Sequence, residues 1–291
     1  MSDLAELPVA APPARSSLLS EVGGYIGAAF VVAGAMALTA DHWDSLSRPG
    51  QVALLALPAL ILLVAAVALA VSAPGGWSPD SPAGPRRRLI GVLVLAAGGL
   101  LAGASVVYLD GPADDRVFPL VLLAVWGIGY GVTRGSVLHL ATASALAWAA
   151  IALIDPWSGA DLWVDGAVLV AIGVIWAALT VFGGIHERNL GIAVAGALAF
   201  IGAEAMVDGD TTWLGYLLLA TLAVIGLAEY LRSRLISALG VGTVALAVVV
   251  PQAVIDYTEG SLGAGGALLV VGLTIVGVSV LGMRLHQSVE T

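Results

Sequence analysis

Long apolar runs separated by short polar breaks occupy almost the whole of this chain. Breaking it at the charged and Gly/Pro-rich turns predicts ten spans, at 19–40, 52–72, 89–109, 117–133, 136–154, 164–183, 190–207, 214–231, 235–255 and 265–283. At about 1.5 Å per residue, a helix of such length crosses the roughly 30 Å hydrocarbon layer of a bilayer. Lipid offers no partner to an open peptide group, so each span has to close its own backbone hydrogen bonds as a helix. The expected fold is all-α, a polytopic transmembrane helical bundle of about ten helices. A single helical domain covers 18–284, between a disordered tail at 1–17 and a short tail at 285–291. The first run is too long for the core of a secretory signal and is expected to persist as a helix.

The breaks alternate in sign. Arg15, then Arg86, Arg87 and Arg88, then Arg134, Arg188, Arg232 with Arg234, and finally Arg284 mark every second break. The others hold Asp41 and Asp44; Asp110, Asp114 and Asp115; Asp155, Asp161 and Asp165; Asp208 and Asp210; Asp256 and Glu259. Of the 11 basic residues only Arg48 and Arg116 fall in the acidic set. Arginine is retained on the cytoplasmic side, which predicts cytoplasmic termini and a multi-pass protein of the bacterial cytoplasmic (inner) membrane. Trp43, Trp157, Trp163 and Trp213 border the acidic breaks, where an indole meets both headgroups and hydrocarbon. "LTADHWDSL", "YLDGPADDR", "LIDPWSGADLW", "MVDGDTTWL" and "VIDYTEGSL" each close an outward helix on Asp, a loose repeat with the period of one hairpin. Inverted halves would match outer turns with inner ones, and no such match stands out.

Composition narrows the chemistry. The chain is 59% hydrophobic and 11% charged, with a net charge of −9, and a soluble domain would carry about twice that charged fraction. The absence of cysteine excludes disulfides, thiolate metal sites and a cysteine nucleophile. Every basic residue is Arg, which excludes a Schiff-base or Walker lysine and suits a GC-rich bacterial genome of actinobacterial type. Among the 37 glycines, the small-residue pairs Gly23/Gly27, Gly99/Gly103, Gly127/Gly131 and Gly191/Ala195 predict close helix packing.

Ionisable groups inside the spans are costly in lipid and so are the first candidates for function. Ser136, His139 and Thr142, spaced by three, form a polar stripe near an Arg-bearing end. With Glu204, which has no Arg within a helical turn, they make up the candidate polar cavity. The stripe either lines that cavity or bonds to a neighbouring helix, and Glu204, one turn from water, either serves the cavity or snorkels outward. Glu229 precedes Arg232 by three residues and reads as its local ion-pair partner. Glu21 complements a helix N-terminus. Trp126, Trp148 and Trp176 lie deep enough to pack between helices. His42, His186 and His286 fall in turns or the tail, which disfavours a haem held by two histidines. No zinc-protease, P-loop or dinucleotide motif is present, so no enzyme activity, metal or cofactor is expected. The run Arg86–Arg88 is too short for nucleic acid and reads as a topology anchor with some pull on anionic lipid.

The first hairpin, "EVGGYIGAAFVVAGAMALTADHWDSLSRPGQVALL", resembles an uncharacterised bacterial family of predicted membrane proteins. In that family, a domain of unknown function, a Gly/Ala-rich first helix runs into an Asn-Trp-Asp turn. Gly23, Gly27, Gly34, Trp43 and Asp44 match, while His42 stands where that family usually has Asn. The resemblance implies a multi-span topology and transfers no catalytic or binding residue. The outer turn Asp41, His42, Trp43 and Asp44 then reads as a hairpin connection. Trp43 anchors at the interface, and Asp44, Ser45 or Ser47 caps the next helix ahead of Pro49.

Two functions fit this inventory. The first is a transporter-like carrier or binding protein for a small apolar or lipid-like molecule, an analogy drawn from helix number and size. The second is a non-catalytic accessory or scaffold protein that packs through Gly-rich faces in a homo- or hetero-oligomer. A carrier needs a polar cavity at the midplane beside His139 or Glu204, whereas a scaffold needs both side chains bonded to neighbouring helices.

Overall fold

The computed structural model describes residues 43–72, 84–109, 114–158, 161–207, 212–258 and 269–274, with isolated positions elsewhere toward both ends. The longer segments form eight α-helices: α1 (Arg48–Val71), α2 (Pro85–Leu109), α3 (Asp114–Thr133), α4 (Ser136–Ser158), α5 (Leu162–Val181), α6 (Arg188–Val207), α7 (Thr212–Ser233) and α8 (Ile236–Tyr257). All eight contain a stretch long and apolar enough to cross a membrane, so the protein is a multi-pass integral membrane protein. They correspond to the eight inner spans expected from hydropathy. The spans expected at 19–40 and 265–283 lie outside the described residues apart from the helical run 269–274 and isolated helical positions. So do the two tails, Asp41 and His42.

Two helices start one turn earlier than the apolar pattern suggests. α1 begins at Arg48 and α2 at Pro85, so Arg86, Arg87 and Arg88 form a helical first turn. Proline is preorganised for this position, and the Arg86 guanidinium is held against the end of α1, donating to the Leu69 carbonyl and the Ser72 hydroxyl. Ser47 is the N-cap of α1, but its side chain makes no capping bond. Instead Gln51 Nε2 donates to the Trp43 carbonyl at 2.8 Å, tying the 3-10 turn Trp43–Ser45 to the helix.

The helices pack as two groups with the same internal pattern. In the first group α1 lies on α2, α2 on α3, α3 on α4, and α2 also touches α4; in the second α5, α6, α7 and α8 repeat these pairings in order. The connections α3–α4 and α7–α8 match as well. Arg134 (φ 49°) and Arg234 (φ 61°) both adopt left-handed backbone, and their N–H groups donate back to the Tyr130 and Tyr230 carbonyls at 2.7 and 2.9 Å. The repeated packing unit is therefore four helices, twice the hairpin read from the sequence. The groups meet where α4 touches α5 and, more sparsely, α6.

Packing within the second group brings backbones into contact. A Cβ placed on Gly202 of α6 would collide with the Gly166 carbonyl oxygen of α5, and one on Gly173 would lie 2.7 Å from the Ala195 carbonyl oxygen. The periphery is apolar, with Phe182 and Ile236 among its most exposed side chains, as a lipid-facing surface requires. Gly202→Ala is expected to destabilise the fold by about 1–3 kcal/mol, because overpacking here meets backbone that cannot step aside. Gly99→Ala, whose new methyl group meets nothing within 4 Å, should leave stability unchanged or slightly raised. Thermal unfolding of both variants in detergent micelles checks the pair.

Candidate functional site

α4 begins directly after the Arg134–Gly135 turn, which puts His139 in its first turns, facing the seam between the two groups. The His139 side chain is fully buried. Its ring lies between Tyr130 of α3, at a centroid distance of 5.1 Å, and Trp176 of α5, at 5.5 Å. Trp176 Nε1–H donates to His139 Nε2 at 3.0 Å. An indole N–H can only donate, so Nε2 carries no proton in this geometry and the hydrogen of the neutral ring sits on Nδ1.

That Nδ1–H faces Glu187 Oε2 at 3.9 Å, too long for a hydrogen bond. Both atoms are buried and neither has a hydrogen-bond partner among the described residues. Glu187 ends the short connection from α5 and immediately precedes α6. Burial pushes its carboxyl above the usual carboxylate range, with Arg87 of α2 and His186 pulling the other way.

Beside this pair lies a polar cavity of about 250 Å³ lined by Tyr130, Gly131, Arg134, Gly183, Gly184 and His186. Tyr130 thus has the cavity on one side and the His139 ring on the other. Gly183 adopts a left-handed backbone, and a Cβ added at Gly131 or Gly183 would meet nothing within 4 Å. The connection can therefore turn sharply while leaving the space open.

The other candidates sort differently. Thr142 is buried next to His139 in the chain's polar stripe, but Ser136 is exposed. Three residues turn a helix through about 300°, so each step drifts some 60° round the helix and the stripe leaves the seam. Glu204 sits near the opposite, acidic end of α6, where Gln252 Nε2 donates to its Oε2 at 3.0 Å. Close by, Tyr216 O–H donates to Asp256 Oδ2. His139 and Glu204 therefore belong to separate ends of the bundle and do not share a cavity. Glu229 pairs with Arg188 of α6 at 3.4 Å rather than with Arg232 on its own helix. Trp126 donates to the Leu95 carbonyl at 3.1 Å, while Trp148 packs on Phe118. Trp43 and Asp44 lie in the 3-10 turn ahead of α1. No group of three or more metal-ligating side chains occurs among the described residues.

Glu187 and Tyr130 were not picked out by the sequence reading. Glu187 lies in "GGIHERN", which reads as an ordinary polar turn, and Tyr130 reads as one more aromatic residue within an apolar span.

Two outcomes test this geometry. Trp176→Phe removes the donor to a buried nitrogen and should cost about 1–3 kcal/mol; adding His139→Leu should recover part of that loss, because both polar partners are then gone. Unfolding in micelles measures both. For Glu187 the raised pKa means that the folded state holds the proton more tightly than the unfolded state. Its stabilising contribution is present below the unfolded value of about 4.3 and is lost as pH rises through the folded value. The melting temperature of Glu187→Gln minus that of the wild type should therefore rise as pH is raised from about 4 to 8; a difference that falls would contradict the assignment. Compared with protein-family models, curated proteins and solved structures, the chain finds no match.

Proposed function

We propose that this chain is a membrane-embedded binding protein, transporter-like in build, for a small lipid-like molecule whose polar group sits at the Arg-bearing end of the seam. One observation carries the reading: a polar cavity of about 250 Å³ opens beside two buried atoms, His139 Nδ1 and Glu187 Oε2, that lack hydrogen-bond partners among the described residues. Leaving two such atoms unpaired costs on the order of 1–3 kcal/mol each, a penalty that a ligand or a small closure of the 3.9 Å gap relieves. The arginine distribution supports a cytoplasmic position for this end and for both termini, in a bacterial inner membrane.

The scaffold reading has its own support. His139 and Glu204 are each bonded to a neighbouring helix, and α5 and α6 touch backbone to backbone. For that reason the site is assigned to one end of the bundle, as a binding site, rather than to a path through its midplane.

Purification in native-lipid nanodiscs followed by solvent extraction and mass spectrometry separates the two. A binding protein retains a defined amphiphile that Gly131→Leu, which fills the cavity, releases. A scaffold retains only bulk lipid and instead loses its oligomeric state when Gly-rich faces are altered. Orientation is checked by reporter fusions: a reporter placed at 159–160, between α4 and α5, should be active only outside the cytoplasm.

A further inference from the structure

The geometry points to an anion, a phosphate or carboxylate group, as the species the cavity takes, and this rests on the binding role proposed above. Three residues with polar side chains line the space: Arg134 from the α3–α4 turn, His186 from the α5–α6 connection, and Tyr130 from the last turn of α3. A guanidinium offers five donors and no acceptor, and the imidazole and phenol can each add one donor. The remaining lining residues, Gly131, Gly183 and Gly184, contribute no side chain to block a close approach. The space matches a compact tetrahedral or planar anion held by charge-assisted hydrogen bonds.

Charge around the cavity agrees. Arg134 and His186 line it, Arg87 from the start of α2 acts on the neighbouring Glu187, and Arg188 is turned toward Glu229 of α7. Glu187 is the one carboxylate in the α5–α6 connection, and its Oε2 is directed at His139. An arriving anion repels this carboxylate, and the available retreat is toward His139 Nδ1–H, which has a hydrogen to give. Closing that gap by about 1 Å makes a charge-assisted bond of ordinary length. His139 is thus a positioning residue: Trp176 fixes its tautomer, and it receives the carboxylate that the ligand displaces.

The proposal makes a prediction of opposite signs for two neighbouring charges. Arg134→Asn removes a donor but keeps a residue that tolerates the left-handed backbone, and it should weaken anion binding by about tenfold or more. Glu187→Gln removes a competing negative charge and should tighten binding several-fold. A cavity with only a structural role has no reason to respond in opposite directions.

The experiment uses the full-length protein in micelles, with melting temperature as the readout. Three probes are compared: inorganic phosphate, phosphatidic acid, and phosphatidylcholine as a phosphate-bearing lipid without net charge. At about a hundredfold excess over Kd, a bound anion should raise the melting temperature by roughly 5 °C. Stabilisation by phosphatidic acid well beyond that by inorganic phosphate assigns the anion to a lipid headgroup. Equal stabilisation by both assigns it to a free anion and overturns the lipid-like ligand while keeping the anion site. Gly131→Leu, which blocks the space without a clash at its Cβ, should abolish the shift while the variant stays folded. Equal stabilisation by phosphatidylcholine, or a shift that survives Arg134→Asn unchanged, overturns the anion assignment. The nanodisc extraction is independent of headgroup charge: a retained neutral amphiphile sinks the anion assignment alone, whereas no retained amphiphile together with no stabilisation by any of the three probes sinks the binding role itself.

Discussion

The hydrogen bond from Trp176 to His139 is the constraint on which the seam depends. Trp176 carries a donor into the interior of a membrane bundle, where no water satisfies it and an unpaired polar group is expensive. His139 on the facing helix supplies the acceptor at 3.0 Å. That choice commits the other ring nitrogen to carry the hydrogen, and the other nitrogen faces Glu187, the residue from which α6 departs. A single directional contact therefore relates α4 to α5 and, through Glu187, to the start of α6. Within the second group the restraint is of another kind. Gly166 and Gly202 let α5 and α6 approach until backbone meets backbone, which fixes a distance through many weak contacts. Apolar packing tolerates sliding more readily than a buried hydrogen bond does, so register between the groups falls to the polar chain.

Much of this fold was legible in the sequence because a bilayer reduces the folding problem to one dimension. Eight apolar spans became eight helices, and the Arg-bearing and acidic breaks mark the two ends of the bundle. What stayed hidden is which faces meet. Spacing selected Gly191/Ala195, where Gly191 does lie against Thr180 and the Ala195 backbone against Gly173, but it also selected Gly99/Gly103 and Gly127/Gly131, where added methyl groups would meet open space or ordinary van der Waals contacts. The backbone contacts between helices occur, among the described glycines, at Gly166, Gly173, Gly202, Gly215, Gly226 and Gly242. Regular spacing says that residues share a face, and it carries no information about whether another helix covers that face. The same limit explains Glu229, which has Arg232 at helical pairing distance but meets Arg188 from α6. His139 was legible as a costly buried group. Its partners were not, since Trp176 reads as core and Glu187 as a solvated turn.

The two ends of the bundle handle their buried polar groups differently, and this bears on how the molecule can respond. At the acidic end, Glu204 with Gln252 and Tyr216 with Asp256 all lie in α6, α7 and α8, inside the second group. Separation of the groups leaves those pairs intact. At the Arg-bearing end the polar chain runs across the seam, from α4 to α5 and to the residue before α6. Any relative movement of the groups must lengthen or shorten contacts in that chain, and any change in the charge of Glu187 or in the occupancy of the adjoining cavity acts on the same atoms. A ligand can shift the equilibrium between two arrangements only by its differential affinity for them. Here Tyr130 and His186 line the cavity and adjoin the residues that join the two halves, Tyr130 through its contact with the His139 ring and His186 as the chain neighbour of Glu187, so occupancy and seam geometry are coupled over a short range without a pathway between distant sites.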